Sequence, residues 1–199
     1  MTSTHDRPRV IFPKDWSFDL SDELVDRIRA EFEPDSAVEE LAAKIASRPV
    51  DEAAQTAEAF FGDYGRRWMD RTLELGEEYA ERTYLNLKAA VEKTGEMGFP
   101  LIPERFIEIA YLSTQPIYSL PIVEASRNAF SFKMVFCDTI TELREQCGDE
   151  LADRLPCSKG CLAAVERAFS ATGYPADVVQ EASVIGGEFC QFTARPRRS

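Results

Sequence analysis

Ala129-Phe-Ser-Phe-Lys-Met-Val-Phe-Cys137 alternates between two kinds of side chain. Phe130, Phe132, Met134 and Phe136 fall on one side, and Ser131, Lys133, Val135 and Cys137 on the other. A period of two belongs to an extended strand, and four large apolar groups on one side predict a face pressed against a core. A second alternating pattern runs from Val178 to Ile185, breaks at Gly186-Gly187, and resumes from Glu188 to Ala194. Two glycines between such runs predict a hairpin with a two-residue turn, because glycine takes up positive φ at no steric cost. In that register Ser183 faces Cys190 and Glu181 faces Phe192, which puts Glu181, Ser183 and Cys190 on one face of the ribbon.

Upstream of these strands the chain reads as helix. Ser21 followed by Leu24, Val25, Ile28 and Phe32 has the spacing of an N-capped amphipathic helix. Pro34-Asp35-Ser36 opens a second, with Val38, Leu41, Ala42 and Ile45 on one face, and Pro49 stops it. From Asp51 to about Thr94 no proline intervenes, but Gly62, Gly65 and Gly76 predict two helices or a kink rather than one rod. Gly98-Phe-Pro-Leu-Ile-Pro103 then marks a boundary, with a helix from Glu104 to Leu112 and two more over Thr139–Gln146 and Ser158–Thr172. The expected organisation is α+β: a helical region over 1–98, then an α+β portion over 99–199 with a small antiparallel sheet and a terminal hairpin, the two parts able to form one compact unit.

Composition removes several functional classes. The 199 residues carry 23 basic and 35 acidic side chains, a net charge of −12. Nothing in that balance can replace the counterions of a nucleic acid or dock on an anionic membrane. No window of the sequence approaches the length of a membrane-spanning apolar run, and the first residues lack the apolar stretch of a signal peptide. Five cysteines without such a signal point to free thiols and a cytoplasmic location. The single histidine, His5, lies in what reads as a frayed tail, so catalytic triads, Cys–His dyads and His-based metal sites are excluded.

The chemistry left over belongs to cysteine and carboxylate. All five cysteines follow residue 136: Cys137, Cys147, Cys157, Cys161 and Cys190. Any one of them can be a small buried hydrophobe. Cys157-Ser-Lys-Gly-Cys161, however, follows Pro156 at the start of a helix. There the exposed N–H groups, the helix dipole and Lys159 are expected to lower the Cys157 pKa. Cys157 and Cys161 share one helix face, and Cys190 completes a set of soft ligands that would favour zinc if the hairpin packs on that helix, with a fourth ligand not identifiable from spacing and Cys137 a candidate only through a family resemblance. Cys147 reads as the bystander. Glu181 beside Cys190 offers an acid/base partner to a thiol without histidine, or else a solvated carboxylate on an edge ribbon. Between residues 111 and 128, Tyr111, Gln115, Tyr118, Glu124 and Arg127 intersperse polar anchors among apolar residues. With Phe132 they form either one wall of a small-ligand pocket or a proline-capped connection.

These C-terminal residues resemble the L-2-amino-thiazoline-4-carboxylic acid hydrolase-like family over roughly residues 110–195. The shared order is Phe136-Cys137, a helix ending at Cys147-Gly148, Leu155-Pro156-Cys157, a short helix, and Gly186-Gly187-Glu-Phe-Cys190-Gln-Phe192. More distantly they resemble the 4-vinyl reductase domains that bind small hydrophobic ligands in bacterial sensors. The resemblance implies a compact α+β ligand-binding fold with a pocket over the sheet, and family-like positions for Cys137, Cys157 and Cys190. It also implies hydrolytic opening of a C–N bond in a small heterocycle. Three departures are visible: Ser158-Lys159-Gly160 stands where hydrolase-like members carry an acid, Val178-Val179-Gln180-Glu181 stands where they carry an Arg at the start of the final hairpin, and Ala182 and Val179 occupy positions that ligate zinc in the sensor version.

Three readings follow. In the first the protein is a hydrolase-like enzyme acting on a C–N bond of a small heterocycle or amide, with Cys157 as nucleophile or metal ligand, Cys161 and Cys190 beside it, and Glu181 as general base. In the second it binds a small hydrophobic or aromatic molecule without turnover. In the third it is an accessory subunit, or forms a homo-oligomer, docking through its helical N-terminal half.

Overall fold

The computed structural model of the protein describes residues 9–10, 27–28, 30–78, 121–125, 128–135, 137–171 and 175–197. Five strands form one antiparallel sheet: β1 (Arg9–Val10), β2 (Pro121–Ala125), β3 (Phe130–Met134), β4 (Ala176–Ala182) and β5 (Cys190–Pro196), in the order β1-β2-β3-β5-β4. Five helices accompany them: α1 (Pro34–Ile45), α2 (Val50–Glu78), α3 (Asp138–Cys147), α4 (Asp149–Ala152) and α5 (Ser158–Ala171). The architecture is α+β, with α1 and α2 in the first half of the chain and α3–α5 and every strand but β1 in the second. Among the described residues no helix is long and apolar enough to cross a membrane.

Alternation in β3 and β5 does what its period predicts. Phe132 lies opposite Phe192, Phe130 opposite Ala194 and Met134 opposite Cys190, so these six side chains share one face. Phe130, Phe132 and Phe192 stack on that face with ring centroids 5.5 and 5.7 Å apart, and Phe192 is fully buried. Met69 from α2 and Ala164, Ala168 and Phe169 from α5 cover it, closing the sheet core. Phe132, expected in a ligand wall, is therefore a core residue. A second core joins Val38, Leu41 and Ile45 of α1, Ala53, Ala57 and Phe61 of α2, and Ile140 and Leu143 of α3. Helix α2 thus packs its N-terminal half into the helical core and Met69, further along, into the sheet core. The halves divided at residue 98 share their packing.

Three expectations about local structure are corrected. Helix α2 runs through Gly62, Gly65 and Gly76 to Glu78, so the expected division into two helices falls at none of these glycines, and the rest of the expected stretch to Thr94 lies outside the described residues. Gly65 is a point of close approach: a Cβ there would run into the carbonyl of Gly160 on α5, so glycine serves helix packing rather than helix breaking. The hairpin is wider than a two-residue turn, since β4 ends at Ala182 and β5 starts at Cys190. The third correction is that Arg9–Val10, part of an expected frayed tail, pairs with β2, and Pro121–Ala125, weighed as a connecting loop, is itself a strand. Backbone pairing with neighbours fixed both, and neither carries enough apolar pattern to announce it. The expected boundary at Gly98–Pro103 and the helix at Glu104–Leu112 lie outside the described residues, as do Tyr111, Gln115, Tyr118 and Arg127.

Candidate functional site

Four cysteines from three chain segments meet at the seam between the two cores. Cys137 follows β3 and is the N-cap of α3. Cys157 immediately precedes α5, and Cys161 lies in its first turn. Cys190 opens β5 and is buried. Cys161 and Cys190 belong to the sheet core, Cys137 and Cys157 pack on the helical core, and Val184 from the hairpin loop touches both. The thiols are close enough that, in all six pairings, one charge acts on the other. Cys147 acts on none of them: it sits at the far end of α3, roughly 15 Å along the axis from Cys137, as a bystander should.

Local sequence explains this convergence. Leu155-Pro156 delivers Cys157 to the first turn of α5, where its N–H donates to the Leu155 carbonyl at 2.9 Å and its own carbonyl accepts from Gly160 at 3.1 Å. Helix α5 is then pressed on α2 by the glycine contact and held beside it by two ion pairs, Lys159–Glu58 at 2.8 Å and Arg167–Asp70 at 2.6 Å. On the sheet side, Cys190 accepts from the Val184 N–H at 3.4 Å and from the Gln180 side-chain amide at 3.6 Å. These bonds fold the loop over the sulfur.

The electrostatics overturn one expectation. Burial pushes the Cys157 thiol up to about 12, and the neighbouring Cys137 and Cys190 thiols push the same way. Burial likewise raises Cys137, and Cys161 well above the ordinary thiol value. The N–H of Ser158 acts against the rise at Cys157 but does not overcome it. Lys159, expected to favour the thiolate, points to Glu58 on α2. Desolvation of a charged sulfur outweighs one helix terminus here. At rest Cys137, Cys157 and Cys161 are neutral thiols. Cys137, Cys157 and Cys161 nonetheless keep part of their surface accessible.

Glu181 is not in this site. The ladder places Gln180, not Glu181, opposite Phe192, and a bulge between Gln180 and Ala182 shifts the register. Glu181 therefore projects from the opposite face of the sheet, accepting from Arg195 at 2.9 Å and from Gln191 at 3.1 Å. Arg195 holds its carboxyl below the usual range, so it is a poor base as well as a remote one. Glu124 pairs across β2–β3 with Ser131, a residue of that same outer face, and is exposed. On that face Ser131 and Thr193 are buried polar groups, with the Thr193 hydroxyl 2.9 Å from that of Ser131. Gln180, which reaches the sulfur of Cys190, was missed by the sequence reading; only a register with the bulge in place reveals it.

The four thiols are not a preformed metal cage. Among the described residues no three Cys, His, Asp or Glu side chains stand where they could hold one ion. The set Cys137, Cys157, Cys161 and Cys190, expected as zinc ligands, thus does not fit that metal as it stands. What the arrangement offers is a cluster of thiols with the Gln180 amide on the Cys190 sulfur and apolar cover from Val184. No family model matches the chain, and no curated protein matches it.

Proposed function

We propose that the protein is hydrolase-like, acting on a C–N bond of a small heterocycle or amide held against the thiol cluster, with Cys157 as the attacking group. The observation that carries this reading is the gathering of four cysteines from three segments, three of them partly accessible. With the Cys157 proton held up to about 12 and Glu181 on the far side of the sheet, a base must come from elsewhere. A basic ring nitrogen of the substrate meets that need. It takes the thiol proton as the sulfur bonds to the adjacent carbon. The ring C–N bond then breaks with the nitrogen leaving protonated, and water releases the sulfur-bound fragment. The resemblance to the thiazoline hydrolase-like family supports the same reaction class.

The test is ring opening of unsubstituted five-membered cyclic amidines and thiazolines, followed by mass spectrometry. Cys157→Ser should lose at least 100-fold in rate while Cys147→Ser keeps it. Full turnover by Cys157→Ser removes the assignment. The neutral state of Cys157 favours one second reading, binding without turnover, in which the same compounds protect Cys157 from alkylation and are recovered unchanged.

A further inference from the structure

We propose that a second copy of this chain pairs with the free edge of β4, joining the two sheets across a two-fold axis at Val178. The order β1-β2-β3-β5-β4 leaves β1 and β4 at the edges. β1 has only two residues, whereas β4 has seven. The Arg197 N–H donates to the Pro175 carbonyl at 3.0 Å, which makes 175 and 197 a bonded pair of the β4–β5 ladder. Bonded and unbonded pairs alternate along an antiparallel ladder, so Asp177 and Val179 bond to β5. The N–H and carbonyl groups of Ala176, Val178 and Gln180 therefore point away from β5. Among the described residues nothing is bonded to them. A row of such groups is a template for another strand. The usual protection is missing here: β4 contains no lysine or proline, and its bulge comes only after Gln180. Asp177 and Glu181 accept from Arg197 and Arg195, at 2.7 and 2.9 Å, so both carboxylates are drawn back over the sheet rather than out past its edge. Between them lies Val179, an apolar side chain left 42% exposed.

Register selects the occupant. Outward groups must meet outward groups, and a two-fold axis makes the pairing antiparallel and identical on both sides. With the axis at Val178, that residue faces its own counterpart and Ala176 faces Gln180 of the second copy. All three outward residues are then bonded. Val179 faces Asp177, and no carboxylate stands opposite another. Moving the axis to Val179 sets Asp177 against Glu181 and leaves Ala176 opposite Ala182, beyond the bulge. Moving it to Asp177 sets that carboxylate against itself. Like charges directly opposite are destabilising, so the register at Val178 wins on both bonding and charge. β4 is complementary to itself there, and no foreign sequence has to be supplied.

Sedimentation equilibrium of the full chain, from about 5 to about 500 µM, should show a monomer–dimer equilibrium, as fits a small interface. Val179→Glu sets a carboxylate opposite Asp177 and should weaken the dimer at least about fivefold, since that pair occurs twice across the axis. Val179→Lys sets an ammonium there and should hold the dimer at wild-type strength or tighter. Val50→Glu and Val50→Lys make the same charge changes at the start of α2, on another exposed valine, and remove the contribution of net charge. Both should leave the dissociation constant within about twofold, as expected for charges far from the contact. Amide exchange followed by NMR should slow at Ala176, Val178 and Gln180 as concentration rises, with Asp177 and Val179 slow throughout. A chain monomeric at the highest concentration overturns the pairing. So does a dimer that gains no protection at those three amides or ignores both Val179 variants. A dimer dissociated equally by Val179→Lys and Val179→Glu places Val179 against itself and overturns the register at Val178.

Discussion

Gly65 on α2 and Gly160 on α5 meet backbone to backbone, with no room for a Cβ on Gly65 before it reaches the Gly160 carbonyl. The contact sets how deeply α5 seats against α2, and so where the first turn carrying Cys157 and Cys161 comes to rest. Gly65→Ala must push the helices apart or bend one of them, a packing conflict that costs about 1–3 kcal/mol. Gly62→Ala meets only the mobile end of Arg66, at 3.6 Å. It should gain about 0.5–1 kcal/mol from helix propensity. Urea unfolding of the two variants should therefore move the midpoint in opposite directions.

The raised thiols give the fold an alkaline weakness. A thiol whose folded pKa lies above its unfolded value keeps its proton in the native state and loses it on unfolding. Stability is then full below the unfolded value near 9 and falls as pH rises from there toward 12, the folded value for Cys157. Each such thiol contributes a slope of about 1.4 kcal/mol per pH unit where only the unfolded form is ionised. Urea midpoints should stay level from pH 7.5 to about 8.5 and fall steadily from there to about 10.5. The fall should be shallower in the Cys157→Ala, Cys161→Ala double variant.

Iodoacetamide should report the same groups kinetically. At pH 7.5 Cys157 should alkylate well over 100-fold more slowly than a free cysteine, with its rate still climbing at pH 10. A plateau below pH 8 would show a thiolate stabilised by the α5 terminus, against the dominance of burial.

Glu181 and Arg195 belong to the outer face of the sheet. Glu181→Gln should leave the alkylation rate of Cys157 within about twofold and cost less than about 1 kcal/mol, as expected for an exposed ion pair. Its contribution is present above the ordinary carboxylate range and disappears as pH falls through the depressed value. A large drop in thiol reactivity in this variant would place the carboxylate within reach of the sulfur.

Zinc should not copurify stoichiometrically. Cys137, Cys157 and Cys161 hold their protons, and no three of the thiols stand where they could share one ion, so the set lacks both charge and geometry for zinc. Metal analysis of protein purified under nitrogen without chelator should find less than about 0.2 zinc per chain, and EDTA should leave the melting temperature unchanged.

Much of the fold was legible because periodicity is local. Phe130, Phe132 and Met134 announced a one-sided strand. Pro34 and Pro49 bracketed α1, and Ser158 onward read correctly as α5. The site was legible in part. Clustering of cysteines after residue 136 pointed to Cys137, Cys157, Cys161 and Cys190, and the structure brings those four together and leaves Cys147 out. Glu181 was misplaced because a single bulge in β4 changes which face a side chain joins, and no residue in that run signals the bulge.

What the sequence determined by itself is the α+β class, the apolar face of the sheet, and the residue types available for chemistry, since each depends on composition or on spacing within one segment. Only the tertiary structure decided that Gly65 is a packing contact rather than a break, that Gln180 rather than Glu181 reaches Cys190, and that Cys137, Cys157 and Cys161 are neutral. Each of these depends on what a distant segment places nearby: the backbone of α5, the register of β5, and the depth at which burial overrides the pull of a helix terminus.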